Sequence, residues 1–291
     1  MEKKEFRPKS SEIKAQKLPY PAAQSAMNQQ PDSNLSNYNA AGKLQNKIAL
    51  ITGGDSGIGR AVAIAFAKEG ANIAILYNIN DDDAEETKRM VEMHNQECLI
   101  IKTDVRNKQE CFDAVNSTIQ RYGSINILIN NAAYQQTQER LEDISEEQLR
   151  RTFETNIYGY FFMAQAVLPH LTAGDSIVNT GSIVGLTGLE ILIDYTATKG
   201  AIHSFTKSLA LQLGKRNIRV NCVVPGPVWT PNIPGTMPAK EVADFGHEVA
   251  LGRPGQPEEI APAYVLLASN DGSFITGSLL EITGGRLSAA K

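Results

Sequence analysis

Tyr195 and Lys199 stand four positions apart in residues 194–213, a stretch with the apolar spacing of a long amphipathic helix. Four positions is close to the 3.6 residues of one helical turn, so a phenol and an ammonium would share one face. A free tyrosine has a pKa near 10, and an ammonium about 4 Å away, at an effective dielectric of about 20, would lower it to about 7. Such a phenol could exchange a proton at neutral pH, although an ordinary surface helix can also carry this pair.

A second chemical pattern is the glycine-rich turn Thr-Gly-Gly-Asp-Ser-Gly-Ile-Gly at residues 52–59. Its spaced glycines lie between a strand-like and a helix-like run, where they allow a tight turn and let the backbone approach a pyrophosphate. The start of the following helix would add N–H donors and a partial positive charge. The turn therefore predicts a dinucleotide-binding site. Its predicted contacts are Gly53, Asp55, Ser56, Gly57, Ile58 and Gly59.

The end of the second predicted strand bears on the choice between NAD and NADP. An acidic residue there would accept the ribose hydroxyls, and a basic residue would favour a 2′-phosphate. The sequence has Leu-Tyr-Asn at residues 76–78, with Tyr77 as the predicted contact. None of these three residues is acidic or basic. The three aspartates at residues 81–83 fit better as acids at the start of the next helix. Arg60 is an alternative phosphate contact, and we predict NAD or NADP as the cofactor, favouring NAD.

Short apolar runs alternate with helix-like segments from Lys47 onward. The runs are KIALIT, NIAILY, ECLIIKTD, INILINNA, SIVNTGS, IRVNCVVPG and SLLEIT. Continuous apolar strands separated by helices are typical of a parallel sheet that is covered on both faces. The pattern predicts an α/β fold with a single doubly wound, seven-stranded parallel sheet. Between strands, a helix is predicted to end at Gly70, and a long one to begin at Ser145 with a Ser-Glu-Glu-Gln capping box.

The first 42 residues differ from the rest in composition. They are rich in Gln, Asn, Ser and Pro and have little apolar periodicity. We predict a polar N-terminal extension over residues 1–42, either disordered alone or extended on a folded surface, and one domain over residues 43–291.

Charge and residue usage exclude several classes of function. The net charge of −4 favours neither nucleic acid nor anionic lipid, and no apolar run reaches the roughly 18 residues of a membrane span. The N-terminus lacks the apolar segment of a secretory signal. The three cysteines and four histidines show no metal-ligand spacing, so we predict no metal site and a cytoplasmic protein.

The glycine turn, Ser182, Tyr195 and Lys199 together resemble the short-chain dehydrogenase/reductase superfamily in its common single-domain form. The resemblance covers roughly residues 43–286, and includes an aspartate after the third strand, Asn-Asn-Ala after the fourth and a later Pro-Gly pair. The extension and the sequence Gly-Gly-Asp-Ser-Gly-Ile-Gly-Arg are also similar to a bacterial subgroup of general stress proteins. In one departure, Ala133 stands where the family usually has glycine.

The resemblance implies a Rossmann fold, a homotetramer and a set of site residues. The implied catalytic residues are Asn156, Ser182, Tyr195 and Lys199. The implied cofactor contacts beyond the glycine turn are Asp104, Val105, Asn131, Ala132, Tyr195, Lys199, Pro225, Gly226, Val228 and Thr230. Ser182 would donate a hydrogen bond to the substrate oxygen. The amide of Asn156 would hold a water that links Lys199 to solvent, or Asn156 would only mark a kink near Gly159.

These residues predict a nicotinamide-dependent oxidoreductase that moves a hydride between the cofactor and a carbonyl or alcohol, with Tyr195 as general acid or base. The segment 229–255, rich in Pro and Gly, is predicted to close over the substrate. One alternative is a 3-oxoacyl-thioester reductase, which needs the same residues. Another is a sensor that binds the dinucleotide without turnover.

Overall fold

The computed structural model describes residues 7–286 of the chain, so the outer limits of the two predicted regions, residues 1 and 291, lie outside the described residues. Within the described part, seven parallel strands form one sheet in the order β3-β2-β1-β4-β5-β6-β7. The strands are β1 Ile48–Thr52, β2 Asn72–Tyr77, β3 Cys98–Lys102, β4 Ile127–Asn130, β5 Ser176–Thr180, β6 Arg219–Pro225 and β7 Leu279–Ile282. The prediction of a doubly wound, seven-stranded parallel sheet is confirmed.

Helices cover both faces of this sheet. They are α1 Gly57–Lys68, α2 Asp81–Glu92, α3 Lys108–Tyr122, α4 Glu146–Phe153, α5 Gly159–Val167, α6 Val184–Thr187, α7 Ile193–Leu213, α8 Asn232–Thr236, α9 Ala239–Val242 and α10 Pro257–Ala268. Short 3₁₀ turns are Ser10–Glu12, Gln24–Ala26, Leu141–Asp143, Glu190–Leu192, Gly214–Arg216 and Asn270–Gly272.

The continuous apolar strands are explained by burial on both sides. Ile51 of β1 packs into the core cluster that α1 and α10 form on one face. Its neighbour Leu50 packs into the cluster that α3, α5 and α7 form on the other face. Because successive side chains of a strand point to opposite faces, both positions must be apolar.

The predicted long helix from Ser145 is divided. A π-helical turn, Glu154–Tyr158, separates α4 from α5. Ser145 does cap α4, since its Oγ accepts a hydrogen bond from the backbone N–H of Gln148 at 3.1 Å. The reciprocal half of the predicted capping box is wrong, because the side-chain oxygen of Gln148 instead accepts a hydrogen bond from the Gln138 amide at 2.7 Å.

The N-terminal extension lies along the surface of the domain from residue 7. Ile13 and Met27 pack against Trp229 and Met237, which belong to the segment after β6. At the end of the extension, the backbone N–H groups at positions 41 and 43 donate hydrogen bonds to Glu69, at the end of α1, at 3.0 and 2.8 Å. Of the two predicted alternatives, the extended arrangement is the one present.

Candidate active site

One cavity of about 710 Å³ opens at the carboxyl ends of the strands. Its walls include residues that follow β1, β4, β5 and β6, and the strand order reverses beside β1, where open α/β sheets bind their ligands. The predicted site residues that line it are Gly53, Asp55, Ser56, Gly57, Ile58, Tyr77, Asp104, Val105, Asn131, Ala132, Ser182, Tyr195, Lys199, Pro225, Gly226, Val228 and Thr230. The other two, Gly59 and Asn156, lie behind its wall.

The glycine turn forms a cradle that side chains would fill. Gly53 and Gly57 have φ angles of +62° and +51°, in the left-handed region that favours glycine. A Cβ on Gly59 would lie 2.0 Å from the Gly53 carbonyl oxygen, and one on Gly57 would lie 3.1 Å from the Thr230 side chain. The start of α1 faces this space, and its N-cap Ser56 makes no side-chain cap. A turn with bare backbone and N–H donors at a helix start fits a dinucleotide pyrophosphate.

Residues after β4 support this turn. The Oγ1 of Thr52 accepts hydrogen bonds from the backbone N–H groups of Asn131 at 2.8 Å and Ala132 at 3.0 Å. The Asn131 amide donates to the carbonyls of Thr52 and Gly53, both at 3.1 Å. Asn131 therefore shapes the turn through its side chain. Thr52 was not among the predicted contacts, although a polar residue at the end of an apolar strand is a visible signal.

At the far end of the cavity, Tyr77 ends β2 and donates its hydroxyl to Asp81 at 2.9 Å. The structure gives no support to the alternative that Arg60 contacts a phosphate. Arg60 is buried, and its guanidinium donates to the Asp55 carbonyl at 2.7 Å and to Thr87 at 2.9 Å, and it pairs with Asp83 at 3.3 Å. This arginine is committed to holding the turn against α2.

The phenol of Tyr195 and the ammonium of Lys199 come together on α7. The Lys199 Nζ lies 5.4 Å from the centre of the Tyr195 ring and donates to the Thr180 carbonyl at 2.8 Å. Burial raises the pKa of Tyr195 to about 12, against a lowering effect of its hydrogen bond with Ser182. Burial lowers the pKa of Lys199 to about 8. The expected tyrosine pKa near 7 is therefore not reached by the chain's own groups, because desolvation of the phenolate outweighs them.

Asn156 lies in the π-helical turn and is fully buried. Its amide nitrogen donates to the Tyr134 carbonyl at 2.8 Å and to the Thr198 hydroxyl at 3.0 Å, and its oxygen accepts from the Tyr134 N–H at 2.8 Å. Both amide N–H donors are used inside the protein. The expectation that this amide holds a water is not supported. Instead, the amide fixes the chain after β4 to the turn beneath α7.

The cavity also contains residues that sequence reasoning missed. Tyr20, Pro21 and Ala22 of the N-terminal extension line it. The Tyr20 hydroxyl donates to the carbonyl of Ala133, the residue that departs from the family pattern, at 3.3 Å. The contacting residues are more than a hundred positions apart, so no local pattern could have shown them.

Other features of the described residues bear on the class of protein. No group of three or more His, Cys, Asp or Glu residues within positions 7–286 could hold a metal ion. No helix in that range has both the length and the apolar character that a membrane crossing requires. Cys98, Cys111 and Cys222 are all free and buried.

Comparison with known proteins agrees with this geometry. The sequence model described as enoyl-(acyl carrier protein) reductase matches residues 53–286. General stress protein 39 of Bacillus subtilis (strain 168) is 50% identical over 265 residues, covering 91% of this chain and 93% of that protein. The NADPH-dependent aldehyde reductase 1, chloroplastic, of Arabidopsis thaliana is 45% identical over 272 residues, covering 91% of this chain and 94% of that protein.

Among solved structures, a short-chain dehydrogenase from Burkholderia cenocepacia J2315 in complex with NADP matches with a TM-score of 0.78 and 30% identity. The match covers 85% of this chain and all of that chain (100%). The fold and the cavity define a nicotinamide-dependent oxidoreductase of the Rossmann type. The chain belongs to the short-chain dehydrogenase/reductase family, and its predicted resemblance to general stress proteins is confirmed. It is an NAD(P)-dependent enzyme that acts on CH–OH groups.

Proposed function

We propose that Tyr195 is the general acid or base of a carbonyl–alcohol interconversion, and that Ser182 and Lys199 assist it. The observation that carries this proposal is the placement of all three side chains on the wall of the cavity that also contains the glycine turn. A substrate oxygen beside Tyr195 would thus be within the same enclosed space as the dinucleotide site.

The chain's residues each have a defined role in this proposal. Tyr195 gives a proton to the substrate carbonyl, or takes one from the alcohol. Ser182 donates a hydrogen bond to the oxygen on which charge develops. Lys199, with a pKa of about 8, carries its charge at neutral pH and stabilises the phenolate. When bound, the nicotinamide supplies the hydride acceptor or donor and, when oxidised, a positive charge that favours the phenolate.

For the cofactor, we propose a preference for NAD over NADP on charge grounds. Arg60 is committed to internal contacts, and Lys102 near the end of β2 is paired with Asp81 at 2.9 Å. Asp55, an acidic residue, in contrast lines the same cavity. The NADP-bound structure and the NADPH-dependent relative do not support this preference. Dissociation constants for both dinucleotides decide it, and NADP binding about tenfold tighter than NAD would overturn it.

Two alternative functions would use the same dinucleotide site. A 3-oxoacyl-thioester reductase would need the same proton donor, and the name of the matching sequence model refers to a reductase of acyl carrier protein substrates. A sensor without turnover would need the cradle but not the grouping of Ser182, Tyr195 and Lys199. A panel of aldehydes, ketones, sugars and acyl thioesters, followed by the absorbance of the reduced nicotinamide, separates the three.

The same assay tests the role of Tyr195. Tyr195→Phe removes the proton donor, so we expect kcat to fall by about 10² to 10⁴ with little change in the dinucleotide dissociation constant. Tyr122→Phe is the matched control, because it also removes a phenol hydroxyl but Tyr122 lies at the end of α3, outside the cavity. Unchanged turnover in Tyr195→Phe would refute the proposed role.

The oligomeric state and the cellular location of the protein are also part of the proposal. We propose a homotetramer, supported by the exposed aromatic side chains of Tyr158 and Phe161. We also propose a cytoplasmic location, because three free, buried cysteines are typical of a reducing compartment. Closure of the segment 229–255 over the substrate stays a prediction.

A further inference from the structure

The N-terminal extension crosses the mouth of the dinucleotide cradle. Gln24 is only 3% exposed, and its side-chain oxygen accepts a hydrogen bond from the backbone N–H of Gly57 at 2.9 Å. Gly57 is the first residue of α1. The extension therefore reaches the same helix start that fits the pyrophosphate.

This contact takes the place of a missing local cap. The N-cap residue Ser56 makes no side-chain hydrogen bond to the helix, so the first N–H groups of α1 have no partner from their own turn. Gln24 supplies an acceptor to one of them from 33 positions away. The next residue, Ile58, lines the cavity, where the glycines leave the backbone bare.

The same residue also ties the cradle to the adenosine end of the cavity. The backbone N–H of Gln24 donates to the carboxylate of Asp83 at 2.6 Å. Asp83 lies in the first turn of α2, just after β2, and it pairs with Arg60, which in turn holds the Asp55 carbonyl. Gln24 thus joins the two loops between which an adenosine ribose and pyrophosphate would lie.

Three neighbouring residues continue this contact along the cavity wall. Tyr20, Pro21 and Ala22 line the cavity, and the Ala22 carbonyl accepts a hydrogen bond from the amide of Asn80 at 3.2 Å. At its other end, Tyr20 donates to the Ala133 carbonyl after β4. The extension therefore bounds the cavity from the β2 side to the β4 side.

We propose that residues 20–24 of the N-terminal extension are part of the dinucleotide-binding site. Gln24 is a positioning residue that orders the phosphate-binding turn, and Tyr20, Pro21 and Ala22 form the outer wall beside the adenosine. The proposal deepens the proposed function and rests on it. It predicts that changes in the extension alter dinucleotide binding without altering the proton-transfer step.

The test uses the full chain with Gln24→Met, which keeps the length of the side chain and removes the acceptor. We expect the dissociation constants for ADP and for the dinucleotide to rise about five- to tenfold, as the loss of a helix cap implies. At saturating dinucleotide, kcat and the KM for the carbonyl substrate should stay within about twofold of the parent values. Gln30→Met, at an exposed position of the same extension, is the matched control and should change nothing.

A second measurement needs no variant. In the unmodified protein, saturating ADP should slow hydrogen exchange in peptides that cover residues 18–29, while peptides from α3 should be unaffected. If Gln24→Met does not fold, this measurement decides alone. Unchanged dissociation constants in Gln24→Met, or unchanged hydrogen exchange in residues 18–29, would overturn the proposal. If the protein still turned over a carbonyl substrate, the proposed function would stand. A parent protein that neither binds nor turns over a dinucleotide would refute both.

Discussion

Lys199 is a charged residue in a buried position. It is fully buried and its Nζ donates to the Thr180 carbonyl, which also accepts the Tyr160 hydroxyl at 3.1 Å. Burial lowers its pKa from the ordinary value of 10.5 to about 8. Between those values the unfolded chain binds more protons than the folded one, so this residue makes stability rise with pH from about 8 to 10.5. Below pH 8, burial of its charge costs up to about 3 kcal/mol.

We predict that Lys199→Met lowers kcat at least about 100-fold while the free energy of unfolding at pH 7 rises by about 1 to 3 kcal/mol. The Thr180 carbonyl keeps its bond from Tyr160, so the substitution leaves no carbonyl without a donor. Urea unfolding at several pH values measures this, and the gain should disappear near pH 10.5. Lys207→Met, at an exposed position of α7, is the control. A loss of stability at pH 7, or a gain independent of pH, would contradict the explanation.

At the scale of elements, the π-helical turn places one amide where two segments meet. The Asn156 side chain bonds to both backbone polar groups of Tyr134 and to Thr198, on the helix that carries Tyr195. Without it, the N–H and C=O of Tyr134 lose their partner in a buried site, which costs about 1 to 3 kcal/mol for each unsatisfied group.

Asn156→Ala should therefore lower the free energy of unfolding by about 2 to 4 kcal/mol and also reduce turnover. A residue that only held a water in a proton relay would reduce turnover with little loss of stability. Asn116→Ala, at an exposed position of α3, should change stability by less than about 0.5 kcal/mol. Full stability in Asn156→Ala would show that the amide does not anchor the Tyr134 segment.

Over the whole molecule, the features that depend on residues close together in the sequence were predicted, and contacts between distant residues were not. The apolar runs gave the strands because burial on two faces requires apolar residues at successive positions, and the glycine spacing gave the turn because φ and close approach demand glycine. The position of Lys199 beside the Tyr195 ring was predicted from helical spacing. The Trp229 indole, which donates to the Gln29 carbonyl at 2.7 Å across 200 positions, was not, and neither was Gln24. Such contacts depend on where a polar segment lies on the folded domain, and residue composition does not contain that information.

The outer surface formed by α7, α5 and the π-helical turn before it carries aromatic residues that a monomer would leave in water. Tyr158 and Phe161 are 52% and 43% exposed, and the Phe161 ring lies 4.3 Å from the ring of Phe205 on α7. We call Tyr158, Phe161, Phe162 and Phe205 the α5/α7 apolar surface. Phe162 and Phe205 are half-buried and pack against the core, so Tyr158 and Phe161 supply the exposed aromatic area. Exposed aromatic side chains are enriched at protein interfaces.

We predict that the enzyme is a homotetramer in solution and that the α5/α7 apolar surface forms one of its contacts. Phe161→Asp places a charge where two copies would exclude water, so light scattering should show dissociation to smaller species at micromolar concentration. Met93→Asp, at a position 61% exposed at the end of α2, should leave the assembly intact. If Phe161→Asp keeps the parent mass, the copies meet through another surface. If the parent itself scatters as a single chain, the aromatic residues of α5 face water and the proposed tetramer is wrong.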